Sequence, residues 1–305
     1  MSEGLPLAAV APAERTRARL HDYVALTKPG IMGMALVTTL AGYLVASGGS
    51  LDVALLLATL GGTALVGAGS SALNMFLERE ADGRMVRTRN RPLPSGRMQP
   101  GEALAFGVAS SSLGVLLLSF GANGLAGLLG AAAVVAYVFL YTPLKKRTSL
   151  CTVVGAVPGA LPPLIGWAAA RGALGIEAWV LFFILFFWQL PHFLAIGWMW
   201  REDYARAGYP MLPVLDPDGA ITARQVVLQS LALLLVSLAP AVTGLAWRAY
   251  FFGAVALGLG LLFFGVRFAR ERSRARASGL FLASIAYLPV LLALVVLGGR
   301  LPRVG

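Results

Sequence analysis

The sequence predicts an all-α integral membrane protein: a nine-transmembrane-helix bundle with its N-terminus in the cytoplasm and its C-terminus outside. Three observations predict it. Of the 305 residues 58% are hydrophobic and only 13% charged, with a mean hydropathy of +0.76, whereas a soluble domain carries about 25% charged residues. Nine apolar runs are long enough to cross a bilayer core, which takes about 20 helical residues. The basic residues gather in alternate connections, the pattern that orients such bundles.

In chain order the runs are 31–47, 53–75, 103–120, 124–142, 151–170, 178–199, 225–245, 249–267 and 279–298. Residues 1–20, rich in Ala, Pro and Arg, read as a short cytoplasmic tail. Residues 21–305 read as one transmembrane domain, because no Gly/Ser linker or change of composition divides them. Arg15, Arg17 and Arg19 precede a run too long for a cleavable signal, so the first span is expected to be retained. In this register 21 of the 25 Lys and Arg fall on the cytoplasmic side, leaving Arg171, Arg248, Arg300 and Arg303 for the other. A span count wrong by one would scramble that split. The net charge of +11, which in a soluble chain would suggest nucleic acid, thus belongs to topology, and no nucleic-acid partner is expected. The single cysteine, Cys151, excludes an intrachain disulfide framework and reads as a packing residue. Acidic and basic residues follow both span 2 and span 6, four helices apart, which suggests an old internal duplication.

The segment leaving span 2 carries the most chemistry. Asn74, Glu78 and Asp82 stand at i, i+4 and i+8, so on a continued helix three oxygen-bearing side chains line one face, drifting by about 40° per step. Such hard donors suit Mg²⁺, which is usually held by one or two carboxylates together with substrate phosphates. Arg84, Arg87, Arg89 and Arg91 follow before Pro92 and Pro94, and supply the counter-charge that a diphosphate needs. The plainer alternative is a solvated loop whose acids pair with its own arginines.

Other segments point the same way. Thr27-Lys28-Pro29 precedes span 1. Tyr141-Thr142-Pro143-Leu144-Lys145-Lys146-Arg147 follows span 4, and Gly155 to Trp167 lies in span 5. Pro191-His192-Phe193 lies in span 6, with Arg201-Glu202-Asp203-Tyr204 and Gly208 to Pro213 after it. Together these resemble the intramembrane prenyltransferase superfamily, of the UbiA type, and within it the protohaem IX farnesyltransferase branch, over roughly Thr27 to Pro213.

The resemblance implies a cytoplasm-facing site in which Mg²⁺ holds the diphosphate of farnesyl diphosphate while the farnesyl group passes to a vinyl of haem B. The implied metal and catalytic residues are Asn74, Glu78, Asp82 and Asp203. The implied substrate contacts are Lys28, Arg84, Arg87, Arg91, Lys145, Lys146, Arg147, His192, Arg201 and Glu202. Two positions depart from the usual pattern: Glu78 stands where Asp is commoner, and Met199 stands four residues before Asp203 where a second aspartate is usual. Partners implied are farnesyl diphosphate, haem B, the lipid bilayer of a bacterial inner membrane, and the haem A synthase that would use the product.

The residues themselves fit this chemistry. Breaking an allylic C–O bond needs stabilisation of the departing diphosphate, and a dry cavity with aromatic faces shields the allylic cation. Any single aromatic, including Trp188, Trp198 and Trp200, reads first as packing. His192 is a polar group inside a span, which marks a functional site, whereas His21 lies in the polar tail. A transporter would place its ionisable residues near the membrane midplane. A non-catalytic assembly factor would not account for the clustered acids and arginines, and a prenyltransferase acting on an aromatic quinone precursor is the nearest alternative enzyme.

Overall fold

The computed structural model describes residues 12–298. Residues 1–11, Arg300 and Arg303 lie outside the described residues, as do the side chains of Arg15 and Arg17. Nine helices among the described residues are long and apolar enough to cross a membrane. The protein is a multi-pass, all-helical membrane protein.

A polar helix, α1 (Pro12–Leu26), precedes the spans and runs through the boundary expected at residue 20. The spans follow as α2 (Pro29–Ser47), α3 (Val53–Arg84), α4 (Pro100–Gly121), α5 (Gly124–Leu144), α6 (Cys151–Arg171), α7 (Ile176–Met199), α8 (Ala220–Val242), α9 (Arg248–Arg270) and α10 (Arg274–Leu297). Short helical turns at Arg201–Arg206 and Leu212–Leu215 link α7 to α8.

Local chemistry sets the helix ends. Asp52 caps α3 by accepting from the Leu55 amide at 3.0 Å. Gln99 and Glu102 form a capping box on α4, and Ser273 caps α10; such caps satisfy the orphan donors of a first turn. The fifth span is broken at Leu161, ahead of Pro162 and Pro163. The seventh starts at Ala220 rather than 225, since Asp216 accepts from the Thr222 amide at 2.6 Å and orders the entry turn. It ends at Val242 rather than 245, between Pro240 and Gly244, whose φ is +78°. The second span does not stop near 75. Its helix continues unbroken to Arg84, because the charged residues beyond the apolar run are good helix formers and no proline interrupts them.

Small residues bring backbones together. A Cβ on Gly69 of α3 would strike Ser111 and Gly107 of α4, and one on Gly166 of α6 would strike Thr39 of α2. Close approach through small side chains is how membrane helices associate without a hydrophobic driving force between them. The largest share of a big apolar cluster comes from α7, α9 and α10, with residues of α2, α6 and α8. Asn74, Glu78 and Asp82 lie toward the C-terminal end of α3, among the buried residues.

Candidate active site

Because α3 stays helical to Arg84, Asn74, Glu78 and Asp82 lie on one inward face, 2%, 2% and 1% exposed. Three cations from three separate segments meet them. Lys28 Nζ donates to Asn74 Oδ1 at 2.7 Å, Lys145 Nζ to Glu78 Oε2 at 3.0 Å, and Arg91 Nη1 to Asp82 Oδ2 at 2.7 Å. Asn74 Nδ2 donates in turn to Thr142 Oγ1 at 3.0 Å, and that hydroxyl donates to the Tyr137 carbonyl.

Lys28 is held by its backbone as well as its surroundings. Its φ of +51° is the only positive value at a non-glycine residue among those described. A left-handed residue ahead of Pro29 costs about 1–2 kcal/mol. That bend between α1 and α2 accompanies a half-buried ammonium placed on Asn74 and over the Tyr137 ring. Burial, reinforced by Arg91, lowers its pKa to about 7, with Glu78 and Asp82 pulling the other way.

Glu78 and Asp82 each spend one oxygen on a cation. The other oxygen of each, Oε1 of Glu78 and Oδ1 of Asp82, is buried without a hydrogen-bond partner. A buried carboxylate oxygen without a partner is costly. Two such oxygens on one helix face, together with the Asn74 carbonyl, are the hard donors that Mg²⁺ takes, so the residues fit that ion. Among the described residues no three of His, Cys, Asp and Glu group as a ready-made metal cluster.

Asp203 does not stand with the α3 acids as a free donor. Its oxygens accept from the Val86 and Arg87 amides at 3.3 and 3.2 Å, and it pairs with Arg206. Burial would raise its carboxyl, but those amides and that guanidinium hold it below the usual carboxylate range. It thereby fastens the Val86–Arg87 loop, and Arg87 reaches the Tyr204 hydroxyl at 3.4 Å. Arg84, Lys146, Arg147 and Glu202 are exposed, and Arg201 lies over the Trp198 ring at 4.4 Å.

His192 lies between α7 and α10, its ring stacked on Trp188 and Phe281 at 4.9 Å each. Its Nδ1 is 2.8 Å from Ser284 Oγ, and the Ser284 hydroxyl already donates to the Phe281 carbonyl at 2.6 Å. With the single hydroxyl proton used, Nδ1 must be the donor. The lone pair therefore sits on Nε2, where it can accept a hydrogen bond or bind a metal.

Sequence reasoning quoted Tyr141 and Tyr204 but gave no role to the tyrosines around Lys145, whose ammonium lies 4.7 Å from the Tyr209 ring centre and within about 6 Å of Tyr141 and Tyr204. Nor did it find Ser284 or Tyr137. Hydroxyl-bearing residues within or next to apolar runs were the available signal.

Residues 35–295 match the model of the UbiA prenyltransferase family. A relative in Solibacter usitatus named "Protoheme IX farnesyltransferase" is 50% identical over 287 residues, covering 91% of this chain and 98% of the relative. Two solved structures share the fold at low identity. The first, a digeranylgeranylglyceryl phosphate synthase, has a TM-score of 0.77 at 18% identity over 92% of this chain and 98% of its own. The second, a UbiA homolog from Archaeoglobus fulgidus bound to GPP and Mg²⁺, has a TM-score of 0.63 at 17% identity over 90% and 99%. With a family match across most of the chain and a full-length relative at half identity, the protein belongs to the UbiA prenyltransferase family.

Proposed function

We propose that the protein transfers the farnesyl group of farnesyl diphosphate to a vinyl group of haem B, leaving a hydroxyethylfarnesyl side chain. Prenyl donor and acceptor follow the name of the Solibacter relative. The observation that carries the reaction class is the pair of buried carboxylates, Glu78 and Asp82, each with one oxygen on a cation and one without a partner.

Asn74, Glu78 and Asp82 would hold Mg²⁺, which would supply Lewis-acid stabilisation of the diphosphate's charge. Lys28, Lys145 and Arg91 exchange their present partners for diphosphate oxygens. They then meet the negative charge that develops as the allylic C–O bond breaks and its electron pair leaves with the diphosphate. Arg87, fastened through Asp203, extends that cationic rim, and Arg84, Lys146 and Arg147 draw the anion in. The aromatic faces of Tyr137, Tyr141 and Tyr209 lie beside Lys28 and Lys145 and would shield the allylic cation from water. The vinyl π electrons form the new C–C bond, and water adds to the resulting cation with loss of a proton.

Residues 21–305 act as one catalytic domain in a bacterial cytoplasmic membrane, with the N-terminus and the site facing the cytoplasm and the C-terminus outside. The product would pass to a haem A synthase. The deciding assay supplies labelled farnesyl diphosphate with either haem B or an aromatic acid to purified protein. Product only with haem B, abolished by chelation and restored by Mg²⁺, is expected, with Asp82→Ala losing several kcal/mol of transition-state stabilisation. Turnover of the aromatic acid alone would install the quinone-precursor reading.

A further inference from the structure

A polar cavity is lined in part by Val86 and Asp203, the loop residue and the carboxylate that fastens it. It is a cleft of about 430 Å³ between the end of α7, the turn at Arg201–Arg206 and the start of α10. Four arginines line it, Arg201, Arg206, Arg272 and Arg274, together with Trp198 and Trp200. Two carboxylates, Glu202 and Asp203, share it, so two positive charges remain uncompensated.

The arginines are not equally engaged. Arg206 is paired with Asp203, and Arg272 Nη1 donates to the Asp218 carbonyl at 2.7 Å. Arg201 and Arg274 lie over indoles, Trp198 at 4.4 Å and Trp200 at 5.1 Å from the ring centres. Among the described residues neither has a carboxylate within ion-pair distance. Stacking on an aromatic face fixes a guanidinium's plane while leaving its N–H fork free for bidentate carboxylate recognition.

The two helices that border the cleft, α7 and α10, also hold His192 between them. Along α7, Trp198 lies six residues beyond His192, about 9 Å; along α10, Ser284 lies ten residues beyond Arg274, about 15 Å. The same two helices thus present a basic, indole-walled mouth and, deeper, an imidazole stacked between Trp188 and Phe281.

We propose that this cleft is the carboxylate subsite of the acceptor: Arg201 and Arg274, supported by Arg272, take the two propionates of the porphyrin, and the indoles flank that edge of the macrocycle. The assignment rests on the haem reading of the main site. It explains why Arg201 and Arg274, which pair with no acid, are gathered on Trp198 and Trp200.

The test compares haem B with its dimethyl ester, in which both carboxylates are capped, by spectroscopic titration of the full-length protein in lipid nanodiscs. The wild-type protein should bind the ester at least about tenfold more weakly, the loss expected when charge-assisted hydrogen bonds are removed. Arg201→Gln/Arg274→Gln should bind haem B as weakly as the ester and no longer distinguish them, while its affinity for farnesyl diphosphate stays unchanged. Arg201→Lys/Arg274→Lys should regain part of the discrimination. Equal binding of acid and ester by the wild-type protein, which needs no variant to fold, would overturn the subsite while leaving haem turnover standing. A Gln double variant that keeps its discrimination but loses binding to phosphatidylglycerol would overturn it in favour of a lipid headgroup. Wild-type protein that takes no haem at all would overturn both this subsite and the acceptor reading.

Discussion

Lys145 and Glu78 form an ion pair of 3.0 Å whose side chains are 11% and 2% exposed, joining the loop after α5 to the buried face of α3. Removing one partner of a buried pair strands the other charge, at a cost of about 3–5 kcal/mol, whereas replacing both with apolar groups of similar volume is often neutral. Lys145→Met should therefore lower stability by that amount. Glu78→Leu/Lys145→Met should recover most of it in the same chemical denaturation series and remain inactive. Recovery of transferase activity with stability would remove the pair from the site. Glu78→Asp, which keeps the charge but retracts the carboxylate by one methylene, should lose less activity than Glu78→Gln.

The serine under His192 gives a prediction about orientation. Ser284 accepts from Nδ1 and thereby leaves the Nε2 lone pair for the acceptor. His192→Ala should weaken haem use while leaving farnesyl diphosphate affinity unchanged, since a group that touches only the acceptor leaves the diphosphate half intact. Ser284→Ala should produce a smaller loss of the same kind. Binding titrations for each substrate separate the cases, and equal loss of both affinities would return His192 to a packing role.

Orientation is testable at Lys146, an exposed residue of the loop that carries Lys145. The protein's own thiol, Cys151, is buried. Lys146→Cys should react with an impermeant thiol reagent only in inside-out vesicles. Reaction in right-side-out vesicles would reverse the topology.

Asp203 gives a pH dependence. Its folded-state pKa lies below the ordinary value of 3.8, so its contribution to stability is fully present above that value and is lost as pH falls through the folded-state value. Denaturation measured from pH 6 downward should show a decline below about pH 4 that Asp203→Asn flattens. An unchanged slope would mean that the Val86 and Arg87 amides do not hold the carboxylate in solution.

Nine apolar runs, and the placing of Asn74, Glu78 and Asp82 on one helical face, were determined by the sequence alone, because hydropathy and the 3.6-residue period are local properties of the chain. The clustering of Arg84 to Arg91 beside those acids was equally legible. What the tertiary structure decided was partnership. Glu78 meets Lys145 rather than the arginines of its own segment, across 67 positions, and His192 takes its tautomer from Ser284, 92 positions away. Asp203, expected among the metal donors, accepts from the Val86 and Arg87 amides, 117 and 116 positions away. Arg272 and Arg274, which in sequence read only as topology-setting charge, join Arg201 around one cleft. Spacing along a helix says which side chains share a face; only packing, set by small residues such as Gly69 and Gly166 that let backbones approach, says which faces meet.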